Sequence, residues 1–174
     1  MYQVNSDRVV KIPSPPLPNA GAPLPTVLSD GSRLLIAYIV SQLDPPWDGA
    51  QPMVISSATP RQPIAIVIFH RPYVHAFGPP NDEALHGHPL TPRGLKPYCW
   101  FEVLSSSWIQ SLAAMNSVHP GHRPDSFNAY HHFIATFHDS TFECVAQGFD
   151  VRLHQGSLSS AVDVMAEVLR SGAA

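Results

Sequence analysis

Apolar positions along this chain follow two different periods. Leu34–Val40 and Ile64–Phe69 are short, largely β-branched runs bounded by breakers, the pattern of strands buried on both faces. Tyr98–Leu104 predicts a third strand. From Ser106 to Asn116 the spacing changes: Trp108, Ile109, Leu112 and Met115 share one face of a helix, with a serine as N-cap and Pro120 shortly after its end. Phe149–Leu153 predicts a further short strand. A closing helix is expected from Ser159 to Arg170, where Leu158, Ala161, Val162, Met165 and Leu169 recur at three- and four-residue spacing and Gly172 supplies a stop.

The sharpest local expectation is a hairpin, His132–His138 and Thr141–Ala146, turning at Asp139-Ser140. A two-residue loop pairs His138 with Thr141, Phe137 with Phe142, Thr136 with Glu143, Ala135 with Cys144, Ile134 with Val145 and Phe133 with Ala146. One face then carries Phe137, Phe142, Ala135, Cys144, Phe133 and Ala146, all apolar. The other carries His138, Thr141, Thr136 and Glu143, then Ile134 and Val145. The apolar face belongs to the core, which leaves the polar face either in water or inside a barrel.

Proline divides the chain. Eleven of its 19 prolines fall between Pro13 and Pro63, and Pro13–Pro18 and Pro23–Pro25 predict extended, polyproline-like segments. Residues 1–30 are therefore expected to form an extended Pro-rich N-terminal arm, followed by one domain over 31–174. Strand signals outnumber helix signals without regular strand–helix alternation. The fold class expected is α+β: a curved, mainly antiparallel sheet, open or barrel-like, with two packed helices.

Composition narrows the function. Of 174 residues, 44% are hydrophobic and 13% charged, so a core is affordable and the surface leans on uncharged polar side chains. A net charge of −3 with ten scattered Lys and Arg gives no basic stripe, which argues against nucleic acid and anionic membrane surfaces. The longest apolar runs are far too short to span a bilayer, and the first residues have no signal-peptide pattern. Two cysteines, Cys99 and Cys144, fit a reducing compartment and are expected to be small core residues. A cytoplasmic protein is expected, with a homo-oligomer open as an arrangement.

Chemistry concentrates in the middle. Nine of ten histidines lie between His70 and His138, and histidine is both the side chain suited to proton transfer near neutral pH and the commonest metal ligand. His86 and His88, if extended, point the same way and can share a divalent metal such as Zn, Fe, Ni or Mn, with Asp82 and Glu83 as ligand or general base. His138 and Glu143 on the polar hairpin face make an acid/base set with Thr136 beside them. His119 and His122 sit in a tight loop that can present two imidazoles to a pocket. Arg71 and Arg93 can fork onto a substrate carboxylate or phosphate. For each residue there is a plain alternative: loop histidines, a helix-end contact for His119, surface ion pairs for the arginines. His131 and His132 are adjacent in a strand, so at most one can join any site.

His86-Gly-His88 lacks the glutamate that cupin barrels place soon after such a pair, and the His-Glu-x-x-His, Cys-x-x-Cys, Gly-rich phosphate-loop and Gly-x-Ser-x-Gly patterns are absent. No nucleotide or flavin cofactor is expected. The leading expectation is a small-molecule enzyme of lyase, isomerase or hydrolase type; the rival is a non-catalytic module that binds a small ligand or a protein. Convergence of His86, His88, His138 and Glu143 into one site separates the two.

Overall fold

The computed structural model describes residues 6–41 and 54–171. Nine strands and two α-helices are present among them: β1 Arg8–Lys11, β2 Thr26–Ser29, β3 Leu34–Ile39, β4 Gln62–His70, β5 Val74–Gly78, β6 Trp100–Leu104, α1 Ser107–Asn116, β7 His131–Thr136, β8 Thr141–Ala146, β9 Gly148–Gly156 and α2 Leu158–Ser171. They build two antiparallel sheets, ordered β1-β6-β7-β8-β5 and β2-β3-β4-β9. The expectation of an α+β fold with two helices and antiparallel pairing holds. The sheets are not closed into a barrel; they face each other as layers, and the chain passes between them from β1 to β2, from β4 to β5 and from β8 to β9.

The unbroken apolar runs of β3 and β4 are explained by burial on both faces. Leu34, Ile36, Tyr38, Ala65, Val67 and Phe69 point into the space between the sheets, against Trp100, Phe133, Ala135, Phe142, Cys144 and Ala146. The alternate residues, Leu35, Ala37, Ile39, Ile64, Ile66 and Ile68, meet Leu158, Ala161, Met165 and Val168 of α2. Each fully buried side chain of this size contributes about 1.5–3 kcal/mol, so packing holds α2 in place. Its expected stop, Gly172, lies outside the described residues. In the inter-sheet core, Trp100 Nε1 donates to the Tyr38 hydroxyl at 3.0 Å, which donates to Pro16 O at 2.6 Å.

The Pro-rich stretch is tied into both sheets. β1 pairs with β6 and β2 with β3, and the Asp7 carboxylate caps the N-terminus of α1, accepting from Ser107 N at 2.5 Å and Ser107 Oγ at 2.7 Å. Ser106 is the local cap, its Oγ accepting from Ile109 N at 3.2 Å. Trp108 and Leu112 of α1 are buried as the spacing implies, whereas Met115, placed on the same face, is exposed.

The hairpin forms with a shifted register. Thr136 pairs with Thr141, Ala135 with Phe142, Ile134 with Glu143, Phe133 with Cys144 and His132 with Val145. Phe137 N donates to Ser140 O at 2.8 Å, so the turn is His138-Asp139 rather than Asp139-Ser140. The pairing moves by two residues, which preserves the faces, since only an odd slip turns side chains over. Apart from His138 at the turn, the polar face lies neither in water nor in a barrel. It is roofed by the 79–99 loop, through Leu85, Leu90 and Leu95 on Phe101, Val103 and Ile134, and by Trp108, Leu112 and Phe127 on Val145. Among the described residues no helix is long and apolar enough to cross a membrane.

Candidate functional site

Between those two apolar patches the sheet carries a buried polar chain. Glu143 on β8 is the hub: His132 Nε2 lies 2.9 Å from its Oε2 and His88 Nε2 lies 3.4 Å from its Oε1. Leu90 N–H donates to His88 Nδ1 at 3.2 Å, so His88 carries its proton on Nε2 and donates to Glu143. Ser106 Oγ accepts from Ile109 N and lies 2.9 Å from His132 Nδ1; with its hydroxyl proton directed at Nδ1, His132 carries its own proton on Nε2 and donates to Glu143. His132 is fully enclosed, with the Trp108 ring edge-on at 5.0 Å.

Electrostatics follow from this enclosure. Burial pushes Glu143 up to about 7 and holds His132 down to about 3, with His88 beside it adding to the effect; burial lowers His88 as well. Two neutral imidazoles donating to one carboxyl describe these contacts better than salt bridges do. Ser106, His132 and Glu143 form a serine–histidine–acid series, but the Ser106 oxygen is engaged as a helix cap and the first amide of α1 is occupied by Asp7. The series is built as a clamp joining β7, β8, α1 and the 79–99 loop.

A second cluster sits at the hairpin turn. Asp82 N donates to His138 O at 2.9 Å, and His138 Nδ1 lies 2.9 Å from Asp82 Oδ2. The Tyr98 hydroxyl donates to the same oxygen. These two hydrogen bonds, Tyr98 first, lower Asp82, and the Asp82 carboxylate raises His138 and pushes Tyr98 up to about 12. His138 Nε2 points away from this network; the nearest carboxylate, Asp139, is 4.0 Å from it. His138 is half-exposed. Asp139 also lines an open groove of about 700 Å³ with Pro79, Pro80, Asn81, Ala84, Gly87, His88 and Pro89.

The remaining expected site residues scatter. His86 and His88 fall in and just after a 3-10 turn, Leu85–Gly87, rather than an extended segment, so they diverge. His86 is exposed with Nδ1 on Glu83 O at 2.9 Å, while His88 is buried. Glu83 is exposed. Thr136 is buried and structural: its hydroxyl donates to Lys96 O at 2.7 Å and accepts from Cys99 N at 3.2 Å. His119 caps its own turn through Gly121 N at 3.0 Å, and His122 meets Asn116 at 3.1 Å. Arg93 donates to Asp7 O at 2.9 Å and is not among the residues that line the groove, and Arg71 is exposed at the β4–β5 turn. Among the described residues no group of three or more His, Cys, Asp or Glu is arranged to hold a metal ion. The expected pair His86 and His88 does not fit one.

His132, Ser106 and Tyr98 are the residues that sequence reasoning missed as site members. His132 was foreseen only as one of two adjacent histidines; its place inward follows from Phe133 lying on the opposite, inter-sheet face. Tyr98, the expected first residue of the third strand, lies just before β6 with a positive φ of 57°, and its hydroxyl reaches Asp82. Comparison of the chain with protein-family models, with curated proteins and with solved structures yields no match.

Proposed function

We propose that the protein acts on a small molecule held in the Pro79–Pro89 groove, with His138 as the acid/base group. The observation that carries this reading is the Asp82–His138 pair. A carboxylate fixes Nδ1 at 2.9 Å, Tyr98 fixes the carboxylate, and Nε2 is left toward solvent beside Asp139 at the groove's edge. That arrangement sets the tautomer and the ring orientation, which are the two requirements for a general base or acid. Pro79, Pro80, Ala84 and Pro89 offer apolar walls, and Asn81 and Asp139 offer hydrogen-bonding groups to a ligand. The reaction class that fits is proton transfer within a lyase, isomerase or hydrolase step. No part of it is routed through a metal.

Non-catalytic ligand binding in the same groove is the second reading. It is favoured by one observation: His86, His88, His138 and Glu143 do not converge, and Glu143 serves the buried clamp. The two readings separate experimentally. Small amines, carboxylates and sugars would be screened by ligand-observed NMR against the wild-type chain, and compounds that bind would then be assayed for turnover. Catalysis predicts that His138→Gln retains binding and loses turnover by about 100-fold or more, the usual weight of a general acid or base. Binding without turnover in the wild type selects the second reading, and compounds that bind only outside the groove overturn both.

A further inference from the structure

We infer that the chain pairs with a second copy of itself through the free edge of β9. Four strands end the two sheets, β1, β5, β2 and β9. Three of them are protected in the ordinary way, by shortness and by proline. β1 has four residues and runs on to Pro13, β2 has four and follows Pro25, and β5 has five between Pro72 and Pro79. β9 has nine residues, contains no proline and no lysine, and pairs only with β4 among the described residues.

The side chains along this edge are self-complementary in one antiparallel register. With Val151 on the two-fold axis, Asp150 of each copy stands opposite Arg152 of the other. Both residues are exposed, on the face of the sheet that carries α2; Asp150 holds His70 Nε2 at 3.0 Å through Oδ2 in its own chain and has Oδ1 left for the arginine. On the other face Phe149 stands opposite Leu153. Leu153 is 74% exposed in the single chain, where it is an apolar side chain without cover. Pairing about Arg152 instead sets arginine against arginine, so charge selects the first register. Two copies joined this way share one eight-stranded antiparallel sheet. Strand pairing is the main element of the contact, so the dimer expected is weak and concentration-dependent.

The test uses the full chain and two charge-reversal variants at exposed positions, Asp150→Arg and Arg152→Asp. Sedimentation velocity over a concentration series reads the mass, which for the wild type is expected to rise from 19.0 kDa toward twice that value. Each variant alone sets four like charges across the axis and is expected to remain monomeric at every concentration. An equimolar mixture of the two restores both opposite pairs and is expected to restore the dimer. Circular dichroism of each variant checks that the fold is kept. A wild type that stays monomeric, or variants that dimerise alone, or a mixture that does not dimerise, overturns the inference.

Discussion

His132 and Glu143 meet diagonally across the β7–β8 ladder, Nε2 to Oε2 at 2.9 Å, with His132 opposite Val145 and Glu143 opposite Ile134. The contact joins two strands, and through Ser106 and His88 it also fixes a helix start and the loop that walls the groove. Glu143 is the acceptor on which both histidines converge. Glu143→Gln keeps one acceptor oxygen and turns an amide N–H₂ toward one imidazole N–H, leaving a buried donor unsatisfied. A loss of about 1–3 kcal/mol is expected, read as a lower urea midpoint with an unchanged slope.

The same carboxyl makes stability depend on pH. Glu143 is raised to about 7 from an ordinary 4.5 by burial, so the folded state binds more protons than the unfolded one across that window. Its contribution is fully present below about 4.5 and is lost as pH rises through about 7. His132, lowered from 6.5 to about 3, works the other way: its contribution is present above 6.5 and is lost as pH falls toward about 3. Glu143→Gln removes only the first term. The stability advantage of the wild type over this variant should therefore shrink between about pH 5 and about pH 8. Urea unfolding at both pH values reads it, and an advantage that grows with pH contradicts the assignment.

Much of the scaffold behind this contact was legible. The β3 and β4 runs, the closing helix and the two faces of the hairpin follow from period and β-branching alone. The hairpin register does not, because a two-residue shift leaves each face unchanged and nothing local distinguishes the two turns. β1 and β2 are four-residue strands flanking the Pro13–Pro25 stretch, and β1 finds its partner only in β6, far along the chain. The site was the least legible part. His132 and Glu143 meet across the β7–β8 hairpin, and His88 joins them only when the 79–99 loop folds over the sheet. Reading His86-Gly-His88 as extended missed the 3-10 turn that sends the two rings apart.

The Asp82–His138 pair is testable by itself. Asp82 raises His138 through its hydrogen bond and its charge, so Asp82→Asn should lower the His138 pKa toward the ordinary 6.5. Tyr98→Phe removes the hydroxyl from Asp82 and should raise the Asp82 pKa. Imidazole and carboxyl titrations by NMR read both shifts. A His138 pKa that does not move on Asp82→Asn contradicts the geometry.

Asp7 gives a prediction about the N-terminal stretch. Its buried carboxylate takes two hydrogen bonds from Ser107 at the start of α1, and an acid there also suits the helix dipole. Asp7→Ala should cost about 1–2 kcal/mol and increase hydrogen exchange over the first turn of α1. Unchanged exchange there would mean that Ser106 caps the helix unaided.

The most direct test of the proposed site is a ¹H–¹⁵N map of the chain with each compound that binds, beside the same map for His138→Gln. The account predicts that shifts concentrate at Asn81, Ala84, Gly87, Asp139 and the His138 imidazole, and that the variant keeps the groove shifts while losing turnover. Shifts confined to residues remote from the groove, or turnover unchanged in His138→Gln, would contradict it.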